Sequence, residues 1–126
     1  MIQSGAHALP VVRRMKKRRE FLTVAEQGSK AIASTLVLQG YLPPTIPDNS
    51  IHLGFTVTKK VGNSVVRNRV RRRLRAAAAE VMAEKGLSGW HYVLIGRQKA
   101  LEEPFPIILR DLRYALRKVA EPKVAS

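Results

Sequence analysis

The spacing of hydrophobic residues along the chain predicts three helices. Apolar side chains recur every three or four positions through 65–85, 107–119 and, more loosely, 13–28, which is the repeat of a helix that buries one face. The middle helix has the clearest pattern, because four consecutive alanines favour a helical backbone and Gly86 can end it. Its predicted buried stripe is Val66, Val70, Leu74, Ala77 and Val81.

The two outer helices are shorter. In the opening helix the predicted inward side chains are Met15, Leu22 and Ala25, with Phe21 and Val24 beside them and Gly28 as a C-cap. In the closing helix the inward side chains are predicted to be Ile108, Leu109, Leu112, Leu116 and Val119. Both helices therefore have an apolar side that must pack against a sheet or another helix.

Three other segments are predicted to be strands. Residues 51–58 alternate between apolar and polar side chains, as in a half-buried strand, and 34–39 is a shorter β-like run. Residues 90–96 have a continuous apolar centre, which indicates burial on both faces. The first two runs could pair as a hairpin across the proline-rich connection at 43–50.

The predicted order α, β, β, α, β, α indicates an α+β fold, a two-layer sandwich in which helices cover one side of a sheet. A length of 126 residues with 45% hydrophobic residues is sufficient for one core. The interpretation is a flexible leader at 1–12, one domain at 13–120 and a flexible tail at 121–126.

Composition excludes several kinds of chemistry. The chain has no cysteine, which removes disulfides, thiol catalysis and cysteine-based zinc sites, and its three histidines share no metal-ligand spacing. No apolar run is long enough to cross a membrane, and no secretory signal is recognisable. A cytoplasmic protein without a bound cofactor is expected.

Charge is the strongest functional signal. The chain carries 23 Lys and Arg against 9 Asp and Glu, for a net charge of +14. Eight of the seventeen residues from 59 to 75 are basic, and no acidic residue occurs from 49 to 79. Because like charges one helical turn apart repel, such a segment needs an external anion. Arginine favours nucleic acid, since its planar head pairs with phosphate and stacks on bases.

The helical projection places these arginines around most of the helix surface. Arg67 and Arg71 border one edge of the apolar stripe, and Arg69 and Arg73 border the other. Asn68, Arg72 and Arg75 are expected to point away from the core. The Gly62-Asn63 turn leads into the positive end of the helix dipole, where a phosphate can be bound.

Three other functions fit parts of this pattern. A ribosomal RNA-binding protein would have the same electrostatics. A membrane-surface protein would use a basic amphipathic helix, although the apolar face here is small and needed for the core. A protein-only nuclease would need clustered carboxylates for its metals, and the acidic residues are scattered.

The segment 55–75, FTVTKKVGNSVVRNRVRRRLR, closely resembles the signature of the ribonuclease P protein family. The resemblance lies in an ordered string: a strand, two lysines, a hydrophobic residue, Gly-Asn, then Arg-Asn-Arg and a basic run. The segments 14–28 and 89–97 also resemble that family's opening helix and its arginine-ended strand. The resemblance implies a sheet of about four strands and a left-handed βαβ crossover, which the general handedness rule would not predict.

The resemblance also implies a division of labour. A large ribonuclease P RNA uses Mg²⁺ to remove the 5′ leader of precursor tRNA, and the protein is an accessory subunit without catalytic or metal-binding residues, monomeric in the complex. Phe21 would line a leader cleft between the first helix and the sheet, although Ala25 and Gln39 stand where the family often has an aromatic residue. The residues expected to contact the RNA are Lys59, Lys60, Gly62, Asn63, Arg67, Asn68, Arg69, Arg71, Arg72 and Arg75.

Overall fold

The hydrophobic pattern predicts most of the observed elements and misses two strands and one short helix. The computed structural model describes residues 11–45 and 49–121. The elements within these residues are β1 (Val12–Arg14), α1 (Arg18–Gln27), β2 (Ser29–Ile32), β3 (Leu36–Tyr41), β4 (Ile51–Thr56), α2 (Ser64–Lys85), β5 (His91–Gly96), α3 (Lys99–Glu102) and α4 (Phe105–Ala120). A 3₁₀ turn at Lys59–Val61 precedes α2. The fold class is α+β, as predicted.

The strands form one mixed sheet in the order β1-β4-β5-β3-β2, so the sheet has five strands and not about four. β1 and β5 each lie parallel to β4, whereas β3 runs antiparallel to both β5 and β2. β5 takes the central position because it is apolar on both faces. Tyr92 and Leu94 are buried on one side, and Val93 is buried on the other.

The predicted hairpin between 34–39 and 51–58 is wrong. β5 lies between β3 and β4 and pairs with both of them. The strand predicted at 34–39 is β3, which begins later, at Leu36, and continues to Tyr41. It forms its hairpin with β2, a strand that the hydrophobic pattern did not reveal. Pairing of the two runs with each other would have left the most apolar strand at an edge, with one side of its backbone unpaired.

The helices cover both faces of the sheet, in contrast to the prediction of one covered side. α2 and α4 pack over the main core, which includes Leu38, Leu53 and Leu94. α1 lies on the opposite face, where Met15, Val24 and Val93 form a smaller cluster. A second cover is needed because the central strands carry apolar side chains on this face as well.

The amino-terminal segment differs most from its prediction. Residues 13–28 are not one helix, because β1 pairs with β4 and the Met15 amide donates to the Leu53 carbonyl oxygen at 2.8 Å. Val12, the last residue of the predicted leader, belongs to β1, and residues 1–10 of that leader lie outside the described part of the chain. The inward side of α1 is also different: Val24 is buried, whereas Leu22 is 46% exposed and Ala25 is exposed.

The β4–α2–β5 unit determines where the basic segment lies. It joins two neighbouring parallel strands through α2, as the resemblance implies, and its left-handed sense stays a prediction. Near the carboxyl end of β5, a Cβ at Gly96 would meet a Val70 methyl at 2.7 Å, so glycine permits close packing of α2 here. The arginine-rich half of α2 is therefore fixed near the carboxyl ends of the parallel strands β4 and β5.

Candidate nucleic-acid interface

The turn before α2 depends on Gly62. Its backbone has φ 158° and ψ −167°, a conformation that residues with a side chain rarely adopt. A Cβ at this position would also approach a Val66 methyl to 2.8 Å. Gly62 thus has a local structural role, and it brings the exposed Lys59 and Lys60 to the start of the helix.

Asn63 is the N-cap of α2. Its side-chain Oδ1 accepts a hydrogen bond from the Val66 amide at 3.0 Å, and its carbonyl oxygen accepts from the Arg67 amide at 2.9 Å. The Arg67 side chain folds back over the same turn, where Nε donates to the Gly62 carbonyl oxygen at 3.2 Å. The Gly-Asn pair and the first arginine therefore form one hydrogen-bonded structure.

The next arginines are arranged partly by their neighbours. Arg71 donates to the Asn68 side-chain oxygen at 2.9 Å, which holds its guanidinium along the helix. Arg69 and Arg72 are exposed. The first two turns of α2 thus combine guanidinium groups held in place with guanidinium groups free to meet a ligand.

The described part of the chain supplies no carboxylate to neutralise this surface. Within residues 11–45 and 49–121, no carboxylate lies within ion-pair distance of an arginine between positions 67 and 75. The ion pairs described there lie elsewhere and join Arg110 to Asp111, Arg113 to Glu80 and Glu84, and Lys118 to Glu121. Among the described residues, the basic half of α2 therefore keeps its positive charge without a carboxylate partner, which is the electrostatic pattern of a polyanion-binding surface.

The expected orientation of Arg75 is wrong. Its guanidinium carbon lies 5.9 Å from the centre of the Phe55 ring, and the residue is half-buried rather than directed away from the core. α2 lies across β4, so the face of Phe55 is available at the helix edge and attracts the weakly hydrated guanidinium. Arg73 is also occupied, because it donates to the Glu103 carbonyl oxygen at the end of α3.

Comparisons with known proteins identify the family. The model of the Ribonuclease P family matches residues 9–120. The chain belongs to the ribonuclease P protein family. It is 49% identical over 109 residues to the ribonuclease P protein component of Paramagnetospirillum magneticum, covering 84% of this chain and 81% of that one. It is 50% identical over 105 residues to that of Gluconacetobacter diazotrophicus, covering 83% and 89%.

Solved structures of the family share the fold. The RNase P protein of Staphylococcus aureus superposes with a TM-score of 0.71 at 26% identity, covering 85% of this chain and 94% of that one. The RNase P protein of Thermotoga maritima gives 0.70 at 23% identity, covering 86% and 99%. The resemblance seen in the 55–75 string is thus confirmed over nearly the whole chain.

Phe21 lies on the other face of the sheet from α2, between α1 and β4. Its ring atoms are 2.6 Å from where a Cβ at Gly54 would lie, so glycine on β4 makes room for the ring. The ring is half-buried against the smaller apolar cluster. It borders a groove whose basic walls are Lys16, Arg18 and Arg71. Its predicted place between the first helix and the sheet is confirmed, and its contact with a leader stays a prediction.

An aromatic cluster on the same face was not predicted. The rings of His52 and His91 lie 4.3 Å apart on paired strands, and the Tyr41 ring meets His91 edge-on at 6.4 Å. Gln39 lies on this face too, whereas Ala25 is exposed on α1. Strand alternation predicts on which side of its own strand each histidine lies, but not which residues are its neighbours. Only the register of β3, β4 and β5 brings the three rings together.

Metal-ligand clusters and membrane-spanning helices are both absent from the described residues. Within 11–45 and 49–121, no three His, Asp or Glu side chains are grouped closely enough to hold a metal ion. In the same part of the chain, no helix combines the length and the apolar character that a bilayer span requires.

Proposed function

We propose that this chain is the protein subunit of a ribonucleoprotein endoribonuclease that removes the 5′ leader of precursor tRNA. In this proposal the RNA partner is a ribonuclease P RNA, which binds the Mg²⁺ ions and performs the cleavage. The protein acts in the cytoplasm as one copy per complex and contributes binding, not reacting groups. Family membership supports the RNA partner and the role in a nuclease complex.

One observation carries the proposal: the arginines in the amino-terminal half of α2 have no carboxylate partner among the described residues. RNA offers closely spaced phosphates, and arginine binds them with paired, charge-assisted hydrogen bonds. Arg69 and Arg72 are exposed for such contacts, and Arg71 is held by Asn68. Lys59, Lys60 and the backbone at Gly62 and Asn63 would extend the contact to the positive end of the helix.

Arg67 and Arg75 have a more structural part in this interface than the other arginines. Arg67 stabilises the Gly62 turn and Arg75 stacks on Phe55, so each keeps only part of its donor set for RNA. We expect their removal to disturb the shape of the surface as well as its charge. Arg72 has no such internal bond in the described chain and is the residue best suited to report on phosphate contact alone.

Reconstitution is the direct test. The purified chain is mixed with a bacterial ribonuclease P RNA and a precursor tRNA at a Mg²⁺ concentration where the RNA alone is slow. Cleavage at the mature 5′ end is expected to accelerate at least tenfold, because the protein supplies positive charge that Mg²⁺ would otherwise provide. No acceleration would contradict the assignment, and cleavage by the chain without RNA would contradict the location of catalysis.

The leader cleft is tested at Phe21. Replacement by leucine keeps much of the packing against Gly54 but removes the aromatic face, and base stacking is worth about 1–3 kcal/mol. We expect the reconstituted complex to lose at least fivefold in affinity for precursor tRNA, with little change for mature tRNA. Binding of both substrates is measured by titration of the labelled RNAs. An equal loss for both would assign Phe21 to folding alone.

A further inference from the structure

The outer face of α4 carries a second basic surface, separate from the one on α2. Arg110, Tyr114 and Arg117 are spaced four and three residues apart and so project to one side of the helix. That side is opposite the buried residues Ile108, Leu112, Ala115 and Val119. The Arg110 side chain is 66% exposed, and Tyr114 is 40% exposed although it is large and aromatic.

Carboxylates neutralise the stripe only in part, whereas the two cations that flank Arg117's side of the helix are both paired. Arg113 pairs with Glu84 at 3.1 Å, and Lys118 pairs with Glu121 at 3.3 Å. Arg117 has no carboxylate partner among the described residues, and its guanidinium carbon lies 5.8 Å from the centre of the Tyr114 ring. Arg110 meets one oxygen of Asp111, whose other oxygen already accepts three hydrogen bonds from Ser34 and Thr35.

A shallow groove runs along the stripe to the β2–β3 turn. Its lining includes Arg110, Tyr114 and Arg117 from α4 and Ile32, which is 58% exposed, from the end of β2. An aromatic ring beside guanidinium groups suits a nucleotide, whose base can stack on the ring while its phosphate binds arginine. An acidic peptide would satisfy the arginines but would make no particular use of the exposed ring.

We propose that Arg110, Tyr114 and Arg117 form a second contact for single-stranded RNA. The network of Arg113 with Glu80 and Glu84 connects α2 to α4 and separates this surface from the arginines near Asn63. The two contacts are therefore distinct patches on the same helical layer, and one RNA partner can reach both. This inference rests on the proposed function, because it needs an RNA partner.

The first test compares two neighbouring residues of α4. Arg117→Gln and Lys118→Gln each remove one positive charge, but only Lys118 is already paired. Binding of the full chain to a ribonuclease P RNA is titrated between 0.05 and about 0.3 M salt. We expect Arg117→Gln to weaken binding about fivefold near 0.1 M salt and to lower the salt slope by about 0.7 to 0.9, with Lys118→Gln within about twofold of the parent.

Equal effects of the two variants, or no effect of Arg117→Gln, would overturn the inference. The parent titration separates this failure from failure of the proposed function. If the parent does not bind the RNA, the proposed function fails; if the parent and Arg117→Gln bind equally, only the α4 contact fails. Both side chains are exposed, so both variants are expected to fold like the parent, as thermal unfolding would show.

The second test addresses stacking and the kind of partner. Tyr114→Ala is expected to weaken RNA binding at least threefold, whereas Tyr114→Phe keeps the ring and binds like the parent. A photo-crosslinking amino acid at position 114 is expected to attach to RNA nucleotides in the assembled complex. Crosslinks only to protein, whether a second copy or another chain, would overturn the RNA assignment, as would identical binding by Tyr114→Ala and the parent.

Discussion

Replacement of Asp111 by alanine is expected to lower the free energy of unfolding by about 3 kcal/mol. Asp111 lies on α4 with its side chain 7% exposed. One carboxylate oxygen accepts from the Thr35 hydroxyl at 2.7 Å, the Thr35 amide at 3.0 Å and the Ser34 hydroxyl at 3.0 Å. Alanine would leave the buried Thr35 donors without an acceptor and would release the β2–β3 turn from the helix.

The same carboxylate predicts a pH dependence. Burial alone would raise the pKa of Asp111, but the hydrogen bonds from Thr35, Ser34 and Arg110 outweigh it and hold the pKa below its ordinary value. A group with a lowered pKa in the folded state stabilises the protein above its unfolded pKa, near 3.9. That contribution is lost as the pH falls through the lower, folded pKa.

Urea unfolding at several pH values measures both effects, with Asp111→Asn as the matched variant. Asparagine can still accept hydrogen bonds through its amide oxygen but cannot titrate. The stability difference between the parent and Asp111→Asn is therefore expected to be largest near neutral pH and to shrink below about pH 4. A difference that stays constant down to the lowest measurable pH would show that the charge of Asp111 is not what stabilises the turn.

Neutralising Arg67 and Arg72 together is expected to weaken binding to a ribonuclease P RNA by roughly 25- to 100-fold near 0.1 M salt. Each phosphate that the protein no longer binds lowers the slope of log affinity against log salt by about 0.7 to 0.9, which amounts to roughly five- to tenfold in affinity per phosphate at this salt concentration. Arg72→Gln alone should give the pure electrostatic effect. The Arg67 substitution also removes the bond from its side chain to the Gly62 carbonyl oxygen.

Lys85→Gln is the matched control for this experiment. Lys85 is an exposed cation on the same helix but in its last turn, far along the chain from the basic half. If net charge alone governs binding, Lys85→Gln will equal Arg72→Gln. We expect instead that Lys85→Gln changes the affinity by less than about twofold and the salt slope by less than about 0.2 relative to the parent. Arg72→Lys, which keeps the charge, should retain most of the slope.

The predictions for the α2 arginines depend on local structure, whereas those for Asp111 depend on long-range packing. The arginines proposed to bind RNA depend on local features. The i, i+4 spacing, the Asn63 cap and the Gly62 turn all lie within one short segment, so the sequence was sufficient to predict that most of these arginines share one surface. The Asp111 network joins residues 76 positions apart. No periodicity marks Asp111 as buried, because its neighbours in sequence are polar and apolar in equal measure, and only the packing of α4 on β2 and β3 buries it.

The sequence by itself predicted the helices at 65–85 and 107–119, which the structure gives as 64–85 and 105–120, together with the strand at the centre of the sheet and the function class. Each of these follows from local periodicity, capping or a contiguous motif. Tertiary structure alone decided that β5 separates β3 from β4, that α1 covers the second face, and that Arg75 turns toward Phe55. It also decided that Tyr41, His52 and His91 meet on one surface. Strand order and cross-strand register depend on which long-range pairing buries the most apolar surface, and a local pattern does not contain that information.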